Sequence, residues 1–392
     1  MSYLRIALGL LSAFQVAFSF AQEKDSISFR YDGHILCSSI VNNSLPCNLL
    51  FDTGAADVFG LDTVFLAQST WKPTKLAYGK AKGAAGTEMV RIIIAPTDVK
   101  LGSQSTTYPV VPIYRLRDIV DRHVDGIIGI KDLDKIPFEI NFEQRYIQKH
   151  SSLPKKTANY IRIPIVYKDK KILLPATIII DGTEIKGTYL MDTGSGGSIS
   201  FTAEAVKQFK LESIQRKRRI TDITNPGIGN KKQETYVSML SDEIIIGKDT
   251  LRENAITYVP KGIGAMGKTA YIGIIGNQIW SKYNIILDIS HQCIYLQRFK
   301  KDPKQVTGYD YGFRNRTDIC DGWIIHALER EGDAVKAGIK LGDIILKING
   351  KSTKDFTWEE ENNIIKAPEH HLEIRSTDGT YKTIKLVAKN LW

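Results

Sequence analysis

Two aspartates carry the chemistry this sequence could perform. Asp52 opens Asp52-Thr53-Gly54-Ala55 and Asp192 opens Asp192-Thr193-Gly194-Ser195, each directly after an apolar residue, Phe51 or Met191. Hydrolysing a peptide bond without a metal or a covalent nucleophile needs an activated water and a proton for the leaving nitrogen. Two carboxylates about 3 Å apart cannot both ionise readily, so one keeps a proton and polarises the carbonyl while the other serves as base. The titration of such a dyad belongs to the pair, so neither Asp52 nor Asp192 is assigned the acid role. Gly54 and Gly194 let backbone N–H groups point at the carboxylates. Ser195 carries a hydroxyl donor that Ala55 lacks, an asymmetry expected to leave Asp52 with one fewer donor and to move an activity optimum upward. Other hydrolytic routes are poorly served. The seven histidines form no His-Glu-x-x-His spacing, and Gly194-Ser195-Gly196 belongs to the Asp loop rather than to a Gly-x-Ser-x-Gly elbow. No metal and no cofactor is expected.

The surroundings of the two triplets match. Leu45 precedes Asp52 as Ile185 precedes Asp192, each just after a turn-rich break, Asn42-Asn43 or Asp181-Gly182, which reads as a hairpin delivering the Asp at the end of its second strand. Downstream, Gly126-Ile127-Ile128-Gly129 recurs as Gly273-Ile274-Ile275-Gly276, and the alignment continues without a gap through Phe138-Glu139-Ile140-Asn141-Phe142 and Ile285-Ile286-Leu287-Asp288-Ile289. One unit is written twice. Short apolar runs at 35–41, 49–52, 90–95, 161–166, 172–180 and 243–246, separated by Gly, Asn, Asp and Pro, predict an all-β pattern. Only short helices fit, at 131–135, 203–210 and 277–282. A glycine-bearing hairpin lies between each Asp and its Gly-rich strand, Gly83-Ala84-Ala85-Gly86 in the first copy and Gly227-Ile228-Gly229 in the second.

On these paired motifs, residues 27–298 resemble a retropepsin-like or pepsin-like aspartic protease. The resemblance implies a mainly β fold of two β-barrel lobes related by a pseudo-twofold, at 27–150 and 157–298, joined by a short linker at 150–157. It implies that Thr53 and Thr193 cross-link the lobes by hydrogen bonds. It also implies that the first glycine hairpin is a flap closing over bound polypeptide, with Gly83 and Gly86 at its tip and Tyr78 as a flap aromatic; a plain surface turn and an ordinary loop tyrosine are the alternatives. With the lobes tethered this closely, pairing within one chain, as a monomer, is the simplest arrangement, and pairing between two chains is the other.

After Arg298 the polar run Lys300-Lys301-Asp302-Pro303-Lys304 marks a boundary. Beyond it, Gly332-Asp333-Ala334, Ala337-Gly338, Gly342-Asp343 and an apolar strand ending in Asn349-Gly350 resemble a PDZ domain, placed at 307–392. That resemblance implies a carboxylate-binding loop at Tyr311, Gly312 and Phe313, a receiving strand at 314–316 and a groove helix at 358–366, with a C-terminal peptide as ligand. The loop lacks the full Gly-Leu-Gly-Phe form, and a module that only packs on the lobes is the alternative.

The remaining features concern compartment and partners. Residues 1–21 combine Arg5, a nearly unbroken apolar stretch and a small residue at Ala21, the pattern of a cleavable signal peptide, so a secreted or periplasmic protein is expected. No later stretch has the length and apolarity of a membrane span. The net charge of +10 is thinly spread apart from Arg216-Lys217-Arg218-Arg219, read as a solvated face, and no nucleic-acid motif accompanies it. Four cysteines permit two disulfides; Cys37 and Cys47 flank the first hairpin turn and form either a bridge or two buried thiols, while Cys293 and Cys320 stay unpaired. The expected function is an aspartic endopeptidase whose PDZ module recruits or gates substrate. The alternative is an inactive peptide-binding scaffold that acts through the PDZ module.

Overall fold

The computed structural model describes residues 26–267, 269–300 and 307–392, so the expected signal peptide lies outside it. The described chain is mainly β. Its first two units repeat one topology. Strand Leu45–Phe51 pairs antiparallel with Ile35–Val41 and parallel with Gly126–Ile128, whose other side pairs antiparallel with Phe59–Asp62. Strand Thr183–Met191 likewise pairs antiparallel with Lys171–Ile180 and parallel with Gly273–Ile275, which pairs antiparallel with Ile199–Phe201. The registers correspond residue for residue, with Gly126↔Leu49 and Ile128↔Phe51 matched by Gly273↔Tyr189 and Ile275↔Met191. In each copy the Gly-rich strand is threaded between two others at the point where the chain turns out into the Asp loop. Glycine is needed there because a Cβ on Gly126 would sit 2.6 Å from the Gly60 carbonyl oxygen and one on Gly273 2.9 Å from the Tyr189 ring.

The copies are joined by a shared sheet. Phe138–Asn141 pairs antiparallel with Tyr283–Asp288, with Ile140 opposite Ile285, and Tyr146–Lys149 and Cys293–Arg298 extend the sheet to either side. These segments align as repeats in the sequence, and here they meet across the pseudo-twofold. One apolar core runs through both copies, including Phe51, Phe59, Phe138, Ile140, Met191, Phe201, Trp280 and Ile285. Every residue of Phe138–Asn141 and Tyr283–Asp288 is buried, the polar Glu139, Asn141, Asn284 and Asp288 among them. Glu139 is fully buried in that sheet, and it accepts from Lys156 at 2.7 Å and contacts His150 at 3.2 Å. Lys156 stands in a single 3₁₀ turn, Lys155–Asn159, within and just beyond the segment expected to link the copies.

The C-terminal unit has a separate core of Tyr311, Trp323, Ile325, Ile345, Ile348, Leu372 and Ile374. Its strand Trp323–Glu329 is also paired to Arg219–Thr224 of the second copy, with Thr221↔Glu329 and Ile223↔Ala327, so one sheet crosses from one unit into the other. The basic run is consumed in this region, Arg219 bonding Glu329 at 2.8 Å, Arg216 pairing with Asp242 and Arg218 donating to the Glu212 and Ile214 carbonyls.

Several local expectations are corrected. Residues 131–135 form turns rather than a helix, because Asp132 takes a left-handed φ of +64° that stops helical propagation. The other two expected helices are Ala203–Gln208 and Asn277–Trp280, and the first copy has two that were not expected, Thr63–Gln68 and Leu116–Ile119. Cys37 and Cys47 remain thiols: the register sets Cys37 opposite Leu49 and Cys47 opposite Ser39, so the two are offset along the ladder. Burial pushes both thiols up to about 12.

Burial opposes the Glu139 charge, but the bonds from His150 and Lys156 hold its carboxyl below the usual range. A depressed carboxyl contributes stability above its unfolded value of about 4.3 and loses it as pH falls through the folded value. Lys156→Met is therefore expected to lower stability by about 1–3 kcal/mol at neutral pH, and urea titrations across pH should show the deficit shrinking once Glu139 is protonated.

Candidate active site

Strand Leu45–Phe51 ends at Asp52, whose N–H donates to the Ile128 carbonyl at 2.9 Å, and Thr183–Met191 ends at Asp192, whose N–H donates to Ile275 at 3.1 Å. Each carboxylate then receives the N–H groups of its own loop. Asp52 Oδ1 accepts from Gly54 at 2.7 Å and Ala55 at 3.2 Å; Asp192 Oδ1 accepts from Gly194 at 2.9 Å and Ser195 at 3.1 Å. Ser195 thus acts through its backbone. Its hydroxyl lies toward Gly276, where a Cβ would meet it at 2.8 Å, so the expected extra side-chain donor to Asp192 is not what distinguishes the carboxyls.

The loops are locked together by their threonines. Thr53 N–H donates to Thr193 Oγ1 at 3.0 Å and Thr193 N–H to Thr53 Oγ1 at 3.1 Å; Thr53 Oγ1 donates to the Met191 carbonyl and Thr193 Oγ1 to the Phe51 carbonyl, each at 2.9 Å. Both side chains are fully buried. This lattice presses each carboxyl against the opposite loop: a Cβ on Gly54 would lie 2.9 Å from Asp192 Cγ, and one on Gly194 2.4 Å from Asp52 Cγ. Each carboxyl thus lies against the glycine of the other copy's Asp loop. Burial, followed by the facing charge of Asp192, pushes the Asp52 carboxyl well above the usual carboxylate range. Burial also raises Asp192, against the bond from Asp52, the two loop N–H groups and the cation of Lys171. The pair therefore holds a proton where isolated aspartates would have lost it.

Residues that carried no sequence signal complete the surroundings. Asn277 Nδ2 donates to the Thr193 carbonyl at 2.6 Å and to the Gly33 carbonyl at 3.0 Å, tying the second loop to the first copy. Tyr114 and Tyr271 stand within electrostatic reach of Asp52 and Asp192 respectively, and burial, followed in Tyr271 by the Asp192 charge, pushes the Tyr271 phenol up to about 12. Tyr78, by contrast, lies mid-strand opposite Arg91 and is 74 % exposed.

The glycine hairpins meet at their tips. Strands Leu76–Gly83 and Gly86–Ile93 form the first, and Arg219–Thr224 and Gln233–Leu240 the second. Ala85 N–H donates to the Ile228 carbonyl at 3.0 Å, Lys231 N–H to the Ala85 carbonyl at 3.1 Å, and Gly229 N–H to Glu88 Oε1 at 3.2 Å. Ala84 packs on the second copy's cluster of Leu173, Leu190, Met266, Tyr271 and Ile274. Ile228 reciprocates on the first copy's cluster with Leu36, Leu50, Val90 and Tyr114. Gly83 and Gly229 permit this approach, since a Cβ would meet backbone at 2.5 Å and 2.2 Å.

In the C-terminal unit, Tyr311–Asn315 is a strand with a bulge between Gly312 and Phe313. The expected carboxylate loop is thus the first part of the strand itself, because Tyr311 and Gly312 already pair with Leu328 and Ala327. The strand's other edge faces the helix Trp358–Ile364, with Asn315 Nδ2 on Glu361 at 2.6 Å, and between them lies a cavity of about 190 Å³ walled by Phe313, Trp323 and Ile365. A strand edge facing a helix across a cavity is a groove suited to an added peptide strand. Residues 301–375 match the PDZ domain family. The PDZ domain is a peptide-binding module. No curated protein matches the chain.

Two outcomes follow. Thr193→Val removes one donor and strands the Thr53 N–H and the Phe51 carbonyl; a loss of about 2–4 kcal/mol is expected in denaturant melts, with most of it restored by Thr193→Ser. A raised folded-state pKa means that Asp52 supports the fold only below its unfolded value of about 3.9 and weakens it as pH rises through the folded value. Asp52→Asn should therefore melt above wild type near neutral pH, the gain vanishing below about pH 4 in thermal scans.

Proposed function

We propose that the chain is an aspartic endopeptidase whose Asp52/Asp192 dyad activates a water for attack on a peptide carbonyl. The observation that carries this reading is the contact of two carboxyls, one per copy, in loops that can form only together. With one proton between them, the ionised oxygen takes a proton from water while the protonated partner hydrogen-bonds the carbonyl oxygen and then returns a proton to the departing nitrogen. The loop N–H groups hold each carboxylate in place throughout.

The corresponding architecture is two retropepsin-like lobes, 27–150 and 157–298, paired within one chain, followed by the PDZ domain. The meeting hairpins, with Gly83 and Gly86 at the first tip, serve as a lid over polypeptide substrate. Residues 1–21 act as a signal peptide and send the chain out of the cytoplasm to a periplasmic or extracellular site. A second reading, a peptide-binding protein acting through the PDZ domain alone, is favoured by the family match covering that module.

The two separate on a cleavage assay with unfolded polypeptide substrates. Asp52→Asn and Asp192→Asn are each expected to lower the rate by at least about 10²–10⁴-fold, with the profile falling on its alkaline side as the shared proton leaves. Cleavage that is equal in wild type and both variants would leave only the binding reading.

A further inference from the structure

The PDZ groove already holds part of the chain's own first copy. At the groove strand's last residue, the Asn315 carbonyl accepts from Arg122 N–H at 3.0 Å, as it would from an added peptide strand. Residue 122 belongs to segment 118–123, which lies along the groove. His123 Nε2 meets Glu361 Oε2 of the groove helix at 2.8 Å, Arg122 reaches Glu361 Oε1 at 3.5 Å and Thr317 Oγ1 at 2.6 Å, and Val120 and Asp121 line the cavity beside Phe313 and Ile365. The segment covers the end of the groove that an incoming peptide's upstream residues would use. The cavity that Val120 and Asp121 line also holds two N–H donors, Trp323 Nε1 and Asn362 Nδ2, without partners among the described residues, and Trp323 is fully buried. An acceptor-bearing ligand end with an apolar side chain would satisfy them.

The same contact is wired to the hairpins. Arg314, buried beside the segment, donates to the Asp118 carbonyl at 2.7 Å, to the Thr224 carbonyl at 2.9 Å and to the Asn225 carbonyl at 3.4 Å. One guanidinium thus grips the groove segment and the base of the second hairpin's tip. That hairpin is mounted on the PDZ strand Trp323–Glu329, with Arg330 on Asp222 at 2.9 Å, and its tip holds Ala85 of the first hairpin.

We infer that segment 118–123 is an internal pseudo-ligand of the PDZ groove, and that a peptide displacing it loosens the hairpin tips above Asp52 and Asp192. The displacing peptide has a free C-terminal carboxylate, an apolar last residue for the cavity, and a Lys or Arg shortly upstream. The basic residue replaces Arg122 and His123 opposite Glu361, in a groove that Asp32 also lines. The inference rests on the proteolytic reading only for its last consequence, access of substrate to the dyad.

The test uses the full chain and synthetic decapeptides ending in Lys-x-Val, with a free carboxylate, with an amidated end, or with Glu in place of Lys. The free-carboxylate Lys peptide should bind best, and Arg122→Ala/His123→Ala should bind it about tenfold more tightly than wild type, since the competing contact is removed. Saturating peptide, or the double variant alone, should accelerate hydrogen exchange at the amides of Ala85 and Lys231 while strand Lys171–Ile180 stays protected. Thr317→Val removes the Arg122 contact from the PDZ side without touching Glu361, and serves if the double variant does not fold. Unchanged affinity in both variants, or unchanged exchange at the tips under saturating peptide, overturns the inference. Faster exchange without cleavage would sink the protease reading and leave this one standing; cleavage abolished by Asp192→Asn with no change in exchange would do the reverse.

Discussion

The reciprocal bonds of Thr53 and Thr193 are the constraint on which the rest of the structure depends. Each hydroxyl accepts from the opposite loop's N–H and donates to the carbonyl preceding the opposite Asp, so four buried bonds satisfy backbone groups that neither loop could satisfy alone. In a fully buried setting, losing one partner costs the desolvation of the group left behind, which makes the two loops a single unit. The carboxyls are then brought together by the backbone, against their mutual repulsion. Their raised proton affinity is the electrostatic consequence of that enforced approach.

The shared sheet gives the lock its rigidity. Phe138–Asn141 and Tyr283–Asp288 pair directly and one apolar core passes beneath both loops, so the copies cannot rotate apart without breaking a ladder and exposing fully buried side chains. The hairpin tips are joined by a few backbone bonds and by Ala84 and Ile228, a small apolar contact beside the buried core.

The PDZ domain is not a pendant module. Its strand Trp323–Glu329 continues the second hairpin's sheet, and Arg117, buried among Asp62, Asp125 and Asp318, ties it to the first copy. Arg316 adds a pair to Asp118, and Arg30 lies over the Trp358 ring. Charges buried in this way need several partners to offset desolvation, and these have them. The Arg314 guanidinium bonds both the Asp118 carbonyl beside the groove and the Thr224 carbonyl of the second hairpin.

The sequence by itself determined the elements whose signals are local. The duplicated Asp-Thr-Gly and Gly-Ile-Ile-Gly motifs announced two copies of one unit, the strands at 35–41 and 243–246 match their apolar runs, and Asn349-Gly350 marked the turn of the C-terminal module. Turn chemistry and periodicity act within a few residues, so they can be read without the fold. Tertiary structure alone decided everything that joins distant residues. The helix expected at 131–135 gave way to turns around left-handed Asp132, Tyr78 proved solvated while Tyr114 and Tyr271 neighbour the carboxyls, and Ser195 contributed its backbone rather than its hydroxyl. The entry of segment 118–123 into the PDZ groove, and the grip of Arg314 on both groove and hairpin, had no signature in the chain. Complementary surfaces far apart in sequence leave no local pattern, because what selects them is the shape and charge of a partner that exists only once the chain has folded.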